Sequence, residues 1–159
     1  MPQTESAAAR FKRFLAKYSP EMVREGNRTL TLLRRQVPGA VELVYDNYNA
    51  LVVGFGPNER ASDAVMSLAI FPRWVTLCFI QNGPDIPDPE GLLKGSGNVV
   101  RHTRLAAAQD LERPAIRKLI TEALALADVP IDRRAKRRMV IKSVSAKQRP
   151  RRGPRARRT

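Results

Sequence analysis

The sequence has little of what catalytic and metal sites are usually built from. It contains one cysteine and one histidine among 159 residues. A single cysteine excludes an internal disulfide, and with one histidine it falls short of the four ligands of a structural zinc site. Cys78 lies in the apolar run WVTLCFI, where we expect a small core residue rather than a nucleophile.

Long apolar segments are also missing. No run of 18 apolar residues is present, so we expect no membrane-spanning helix and no membrane partner. The N-terminal MPQTESAAARFKRF lacks the apolar centre of a secretory signal. Together with the lone cysteine, this favours a cytoplasmic location. Because 43% of the residues are apolar, the chain can fill one modest core, and one domain is the default.

Acidic residues are scarce only towards the C-terminus. Residues 132–159 hold 13 Lys and Arg against one acid, Asp132, whereas the rest of the chain has 16 basic and 14 acidic residues. We therefore assign residues 1–130 to a folded domain and 131–159 to a basic tail. Within the tail, 139–145 is a candidate short strand. The segment from residue 149 onward is rich in Arg, Pro and Gly and is expected to be disordered.

The apolar periodicity predicts helices at both ends of the domain and strands between them. Residues 5–17 carry one apolar stripe, and Ser-Pro-Glu opens a second helix over about 19–36. Four short β-branched and aromatic runs follow within 40–80, the last two as a hairpin, and VVRHTRL adds a fifth. A last helix opens at Asp110. This order predicts an α+β fold, with two N-terminal helices and a C-terminal helix on one face of an antiparallel sheet of about five strands.

The segment DPEGLLKGSGNVVRHTRL, at 88–105, has the composition of a phosphate-binding loop but not its order. Such a loop carries its lysine after the last glycine and opens a helix. Here Lys94 precedes Gly-Ser-Gly and a strand follows, and Val100 stands where a dinucleotide fingerprint needs its third glycine. We predict instead a capped turn in which Gly95 and Gly97 take positive φ before the strand.

Several motifs resemble the YdhG-like family of small bacterial domains of unknown function. The resemblance rests on GSGNVVRH at 95–102, YSPE at 18–21, VPGA at 37–40 and VIKSVSAKQRPRR at 140–152. The family includes a frataxin-like protein described as an intracellular iron chaperone. The resemblance therefore implies a frataxin-like α+β domain without enzymatic activity, and iron as a cofactor or cargo. Asn98 departs from the pattern, which would place a lysine there.

The residues themselves add little to the iron hypothesis. Hard cations take clustered oxygen ligands, but Glu5 is the only acid of the first predicted helix. Glu21 and Glu25 lie four apart on the second, flanked by Arg24 and Arg28. This spacing is typical of a surface laced with salt bridges. Iron is therefore expected only by resemblance, and its ligands stay unassigned.

The candidate ligand surface consists of Tyr45, Tyr48, Trp74, Arg101 and His102. Arg101 and His102 are neighbours in a strand, so they point to opposite faces of the sheet. His102 is either an anion or ligand contact or a strand histidine satisfied by its neighbours. The aromatic residues either edge a shallow pocket or belong to the core. We predict no catalytic residues: an enzyme would require a constellation around Tyr45, Asp46, Arg101 and His102, which one sequence does not assemble.

The basic tail is the candidate contact for nucleic acid or another polyanion. Its cations are Arg133, Arg134, Lys136, Arg137, Arg138, Lys147, Arg149, Arg151, Arg152, Arg155, Arg157 and Arg158. Arginine forks match phosphates, and the lack of interleaved aromatics favours binding that ignores base sequence. Three functions stay open: a binding or chaperone-like module, a nucleic-acid-associated protein acting through its tail, and an enzyme. The alternative for the tail itself is that it is merely solvated.

Overall fold

The computed structural model describes residues 4–152, which form three helices and one six-stranded sheet. The helices are α1 (Ala7–Leu15), α2 (Pro20–Gln36) and α3 (Pro114–Leu126). The strands are β1 (Val41–Asp46), β2 (Leu51–Gly56), β3 (Met66–Ile70), β4 (Val75–Phe79), β5 (Arg101–Leu105) and β6 (Arg138–Val144). The predicted α+β class is confirmed.

The first two helices begin at capping serines. The side chain of Ser19 accepts a hydrogen bond from the backbone N–H of Met22 at 3.2 Å, and Pro20 takes the first helical position of α2. Ser6 caps α1 in the same way, accepting from the N–H of Ala9 at 3.1 Å. These bonds satisfy N–H groups that have no partner inside the helix, which is why the pattern is readable from sequence.

The third helix begins later than predicted. The carboxylate of Asp110 accepts the N–H of Ala106 at 2.8 Å and supports a 3₁₀ turn, and α3 starts only at Pro114. Proline fits the first turn because its missing N–H would have no partner there. Within residues 4–152, none of the helices combines the length and the apolar character needed to cross a bilayer.

The sheet is mixed rather than antiparallel. Its strand order is β5-β4-β3-β2-β1-β6, and β6 runs parallel to β1, with Arg138 opposite Val41. The five strands predicted within the domain form and are antiparallel to one another, and the candidate strand at 139–145 adds the sixth. The prediction of an all-antiparallel sheet is wrong, because β6 is parallel to β1. The reason is the connection 127–137, which returns from α3 to the end of the sheet where β1 begins. The strand that follows it must enter beside β1 in the same direction.

The core lies between the sheet and the helices. On one face of the sheet, Val53, Leu68 and Leu77 form a row across neighbouring strands that α1, α2 and α3 cover, and each of the three is at most 1% exposed. Leu43 lies on the opposite face, which points away from the helices. We call the covered face the helix face. The helices bury against it Phe11, Phe14, Leu15, Leu30, Leu33, Ile116, Leu119 and Ile120. Their polar sides are left for solvent and ligands.

The glycine-rich segment covers the outer edge of β5. Lys94 and His102 exchange backbone hydrogen bonds of 2.8 and 2.9 Å, an isolated antiparallel bridge. An exposed strand edge offers unpaired N–H and C=O groups to other chains, so a covering segment protects it. A strand edge, and not a bound phosphate, accounts for the position of this loop.

The turn inside that segment is capped by one carboxylate. Asp88 accepts the N–H groups of Leu92 and Leu93, both at 2.8 Å. Gly95 has φ +126°, as predicted, but Gly97 does not have a positive φ. Of the two glycines before β5, only Gly95 therefore takes the positive φ that favours glycine.

Candidate polyanion-binding surface

The five residues of the predicted ligand surface are dispersed over the sheet. Tyr45 and His102 share the face that points away from the helices, but β1 and β5 are four strand spacings apart, about 19 Å at about 4.8 Å each. Arg101 lies on the other face, opposite Phe79. Tyr48 is in the β1–β2 turn and is exposed. The structure does not bring these side chains together.

Trp74 is engaged by its own neighbours. Its ring stacks on Phe71 with centroids 5.0 Å apart, and the guanidinium of Arg104 lies 3.9 Å from its centroid. Arg101 likewise turns back on its own loop, donating to the carbonyl of Gly97 at 2.5 Å. These contacts are the ordinary packing alternative for aromatic and arginine side chains.

An enzymatic constellation around Tyr45, Asp46 and His102 is not assembled. Asp46 is fully buried on the helix face, whereas Tyr45 faces the opposite side. Cys78 lies directly across from His102, but burial raises the pKa of its thiol. Because the thiolate is the reactive form, this keeps the cysteine in its inert state.

The residues present do not fit an iron site. Within residues 4–152, no group of three or more His, Cys, Asp or Glu side chains is placed to hold a metal ion. Glu5 is held by Arg13 at 2.6 Å, and Glu25 accepts the backbone N–H of Ala108. Two of the three helix carboxylates considered from sequence thus have protein partners, and the three do not gather as hard-cation ligands must.

The segment after β6 is folded onto the body. The N–H of Ser145 donates to the carbonyl of Asp46 at 2.9 Å, and the N–H of Arg149 donates to that of Tyr48 at 2.8 Å. The expectation of disorder from residue 149 does not hold for 149–152, because these residues pack around the end of β1. Residues 153–159, with Arg155, Arg157 and Arg158, lie outside the described residues.

Arg151 anchors this segment in the protein interior. Its guanidinium donates to Asp46 Oδ1 at 2.9 Å and to the carbonyls of Asn47 and Tyr48, and it lies 5.8 Å from the ring centroid of Tyr18. Its side chain is 2% exposed and that of Asp46 is fully buried. Burial of two charges is tolerated because they are paired. Arg151 is therefore not free to bind a polyanion, contrary to its assignment from sequence.

Asp46 is shared between two cations. Lys17 Nζ donates to Asp46 Oδ2 at 2.7 Å, on the other side from Arg151. Burial acts to raise the pKa of Asp46, but hydrogen bonds from Lys17 and Arg151 outweigh it and hold the pKa below its ordinary value. The ionised form is therefore favoured by folding.

This shift predicts acid sensitivity centred on Asp46. A carboxylate with a lowered folded pKa contributes stability above its unfolded pKa of about 3.9, and that contribution is lost as pH falls through the folded value. The difference in unfolding free energy between wild type and Asp46→Asn should thus be largest near neutral pH and shrink below about pH 4. Urea unfolding of both proteins across this range measures it. A difference that stays constant down to about pH 2 would contradict the assignment.

Two further predicted polyanion contacts are engaged by acids. Arg138 pairs with Glu59 at 2.8 Å, and Arg137 lies 3.6 Å from the buried Glu42. The remaining predicted polyanion contacts within residues 4–152 are exposed and make no ion pair with an acid there. They are Arg133, Arg134, Lys136, Lys147, Arg149 and Arg152.

A basic groove joins this segment to the helices. It lies between α1 and α2 beside β6, has a volume of about 620 Å³, and is bordered by Lys12, Arg24, Arg34 and Arg152. Its floor consists of Phe11, Leu15, Val23, Leu30 and Met139. Arg34 pairs with Glu42 at 2.7 Å, whereas Lys12 and Arg24 have no acidic partner in residues 4–152. Folding of the segment thus sets Arg152 beside free helix cations.

The positive charge therefore belongs to the folded body. Of the 29 Lys and Arg, 26 fall within residues 4–152, against all 15 Asp and Glu. Sequence reasoning assigned the charge to an appendage. It named 139–145 as a candidate strand, but it could not determine that this strand pairs with β1 and that the segment after it packs on the body. It also did not predict Lys12 and Arg24 as binding residues. Their position on the polar sides of amphipathic helices is the one sequence feature that could have indicated them.

Comparison of the chain with protein-family models, with curated proteins and with solved structures finds no match. The resemblance to the YdhG-like family thus rests on its sequence motifs. The functional argument comes from the charges and contacts of the molecule itself.

Proposed function

We propose that the protein is a non-catalytic, cytoplasmic binding module of the YdhG-like type whose partner is nucleic acid. The observation that carries this proposal is the docking of residues 138–152, which places the exposed Arg152 in one groove with Lys12 and Arg24. The phosphate backbone would lie along the basic groove. An iron-chaperone role is not part of the proposal, because residues 4–152 offer no ligand set for it.

The physical basis is counterion release. Each cation that neutralises a phosphate releases condensed salt ions, so affinity rises with the number of contacts and falls steeply with salt. The groove offers Lys12, Arg24 and Arg152, and Lys147 and Arg149 belong to the same docked segment. Contacts of this kind position a protein on the backbone without reading bases. We therefore expect binding to duplexes of unrelated sequence with similar affinity.

Removing the two free helix cations tests the groove. Lys12→Ala/Arg24→Ala should weaken binding of a labelled DNA duplex about tenfold at low salt. It should also reduce the slope of log affinity against log salt by about 2, since each lost phosphate contact removes about 0.9. Fluorescence anisotropy between about 50 and 200 mM NaCl measures both quantities.

The matched control removes equal charge elsewhere. Lys94 lies on the β5 side, and Lys118 lines a cleft with Asp88 and Glu90 there. Lys94→Ala/Lys118→Ala should keep the wild-type salt slope. Equal losses in both double variants would refute a localised binding surface.

The contribution of residues 153–159 is separable by truncation after Arg152. This cut removes Arg155, Arg157 and Arg158 and leaves every contact described above in place. A cut after Pro130 would instead delete β6 and Arg151, so any loss of binding would be confounded by unfolding. If the protein ending at Arg152 loses all DNA binding, the groove is not the binding surface.

A further inference from the structure

A second pocket lies on the other side of α2, between α2 and α3. It has a volume of about 680 Å³ and is closed at one end by residues 130–133, which pass from α3 towards β6. This volume is within the range of about 300–1,000 Å³ that holds small organic ligands. None of the residues predicted from sequence as a ligand surface lines it.

The floor of this pocket is apolar. Leu32 of α2 and Ile120 of α3 are buried beneath it, and Leu124 and Ile131 are partly exposed within it. Along α3 the lining runs from Arg117 to Ala125, a length of about 12 Å at 1.5 Å per residue. The floor therefore suits an apolar body of medium length rather than a polymer.

Three arginines surround that floor. Arg35 comes from α2, Arg117 from α3 and Arg133 from the segment that closes the pocket, and Glu112 is the one acid among the lining residues. Within residues 4–152, none of the three guanidinium groups forms an ion pair or a side-chain hydrogen bond. Planar, unpaired guanidinium groups bind carboxylates through paired hydrogen bonds, and the pocket's excess of positive charge favours an anion.

We infer that this pocket binds an amphipathic carboxylate, with an aliphatic or aromatic body on the apolar floor and the carboxylate among Arg35, Arg117 and Arg133. The site is separate from the basic groove, which borders the opposite side of α2 and whose unpaired cations among residues 4–152 are Lys12, Arg24 and Arg152. The two sites can therefore be tested independently. Neither the charge nor the apolar floor alone is sufficient for binding.

The experiment uses decanoate as the probe and calorimetry on the full chain. Decanoate should bind saturably at one site in this pocket, whereas decanol, which lacks the charge, and inorganic phosphate, which lacks the apolar body, should each bind at least about tenfold more weakly. Lys12→Ala/Arg24→Ala should keep the decanoate affinity. Equal affinity for all three probes, or no saturable decanoate binding, would overturn the inference.

Adjacent residues supply a matched pair of variants. Arg117 and Arg133 line the pocket, whereas their neighbours Lys118 and Arg134 do not. Arg117→Gln/Arg133→Gln should lower decanoate affinity at least about tenfold, and Lys118→Gln/Arg134→Gln should leave it within about twofold. The four residues are exposed, so both double variants should fold, and thermal unfolding without decanoate checks this. Equal loss of affinity in both would show that only net charge matters and would refute the site.

Discussion

Replacing Arg151 by alanine is expected to lower the free energy of unfolding by about 3–5 kcal/mol, because it leaves the carboxylate of Asp46 buried with only Lys17 as its charged partner. It also removes the donor to the carbonyl of Asn47, whereas the carbonyl of Tyr48 still accepts the N–H of Arg149. For a chain of this length the loss corresponds to a fall in Tm of roughly 6–20 °C. Chemical and thermal unfolding measure it directly.

Arg152 provides the control one residue away. It is exposed, and its Nε donates only to the carbonyl of Lys17, at 3.3 Å. Arg152→Ala removes the same charge and should change stability by at most about 0.5 kcal/mol. If the two variants unfold alike, the C-terminal segment is not anchored as described. The proposal that its cations are held beside α1 would then fail as well.

Gly39→Ala is expected to destabilise the protein by about 2–5 kcal/mol. Gly39 has φ +80°, and an added Cβ would lie 2.0 Å from the carbonyl oxygen of Asp132. A left-handed backbone costs a residue with a side chain about 1–2 kcal/mol, and forcing the chain at Asp132 aside adds about 1–3 kcal/mol. The same clash displaces the segment that carries Arg133, so decanoate affinity should fall together with stability.

Gly97→Ala is the matched substitution. Gly97 has no positive φ, and no atom lies within 4 Å of the position its Cβ would take. We expect a result between no change and a gain of about 1 kcal/mol, since alanine restricts the unfolded chain. Measured destabilisation of Gly39→Ala no larger than that of Gly97→Ala would contradict the close packing of residues 131–133 on the α2–β1 turn.

Both variants address how the C-terminal region joins the body. Gly39 permits the chain to pass closely at Asp132, β6 pairs with β1, and Arg151 fastens the end against Asp46. Residues 133–152 therefore do not form a free tail, and two of their cations, Arg133 and Arg152, line two concave sites. Each site combines cations from this region with cations from the helices.

The features that could be predicted from sequence are those that depend on interactions between residues close along the chain. The caps at Ser19 and Pro20, the β3–β4 hairpin and the Asp88 turn depend on neighbours within a few residues, and all are readable from sequence. The pairing of Arg151 with Asp46 joins residues 105 positions apart. A segment with so many arginines has the composition of a disordered segment. The acid that neutralises its buried residue, Arg151, is Asp46, which lies far away in sequence on β1.

The candidate sites show the same division. Sequence reasoning named Arg133 and Arg152 by their charge alone, but it could not assign them to different pockets on either side of α2. It also grouped Tyr45 with His102, although β1 and β5 are separated by three strands. Strand order depends on which edges meet after the chain collapses, and no local pattern records that.

By itself the sequence determined the α+β class, the starts of the first two helices, the period-two strands and the surplus of positive charge, since each follows from composition or from residues close along the chain. Only the tertiary structure decided that the last strand is parallel, that Arg151 is buried, and that free cations gather at two concave surfaces. Those outcomes depend on pairing β6 with β1 and on neutralising a charge inside the protein. Both are properties of residues distant in sequence that become neighbours only when the core forms.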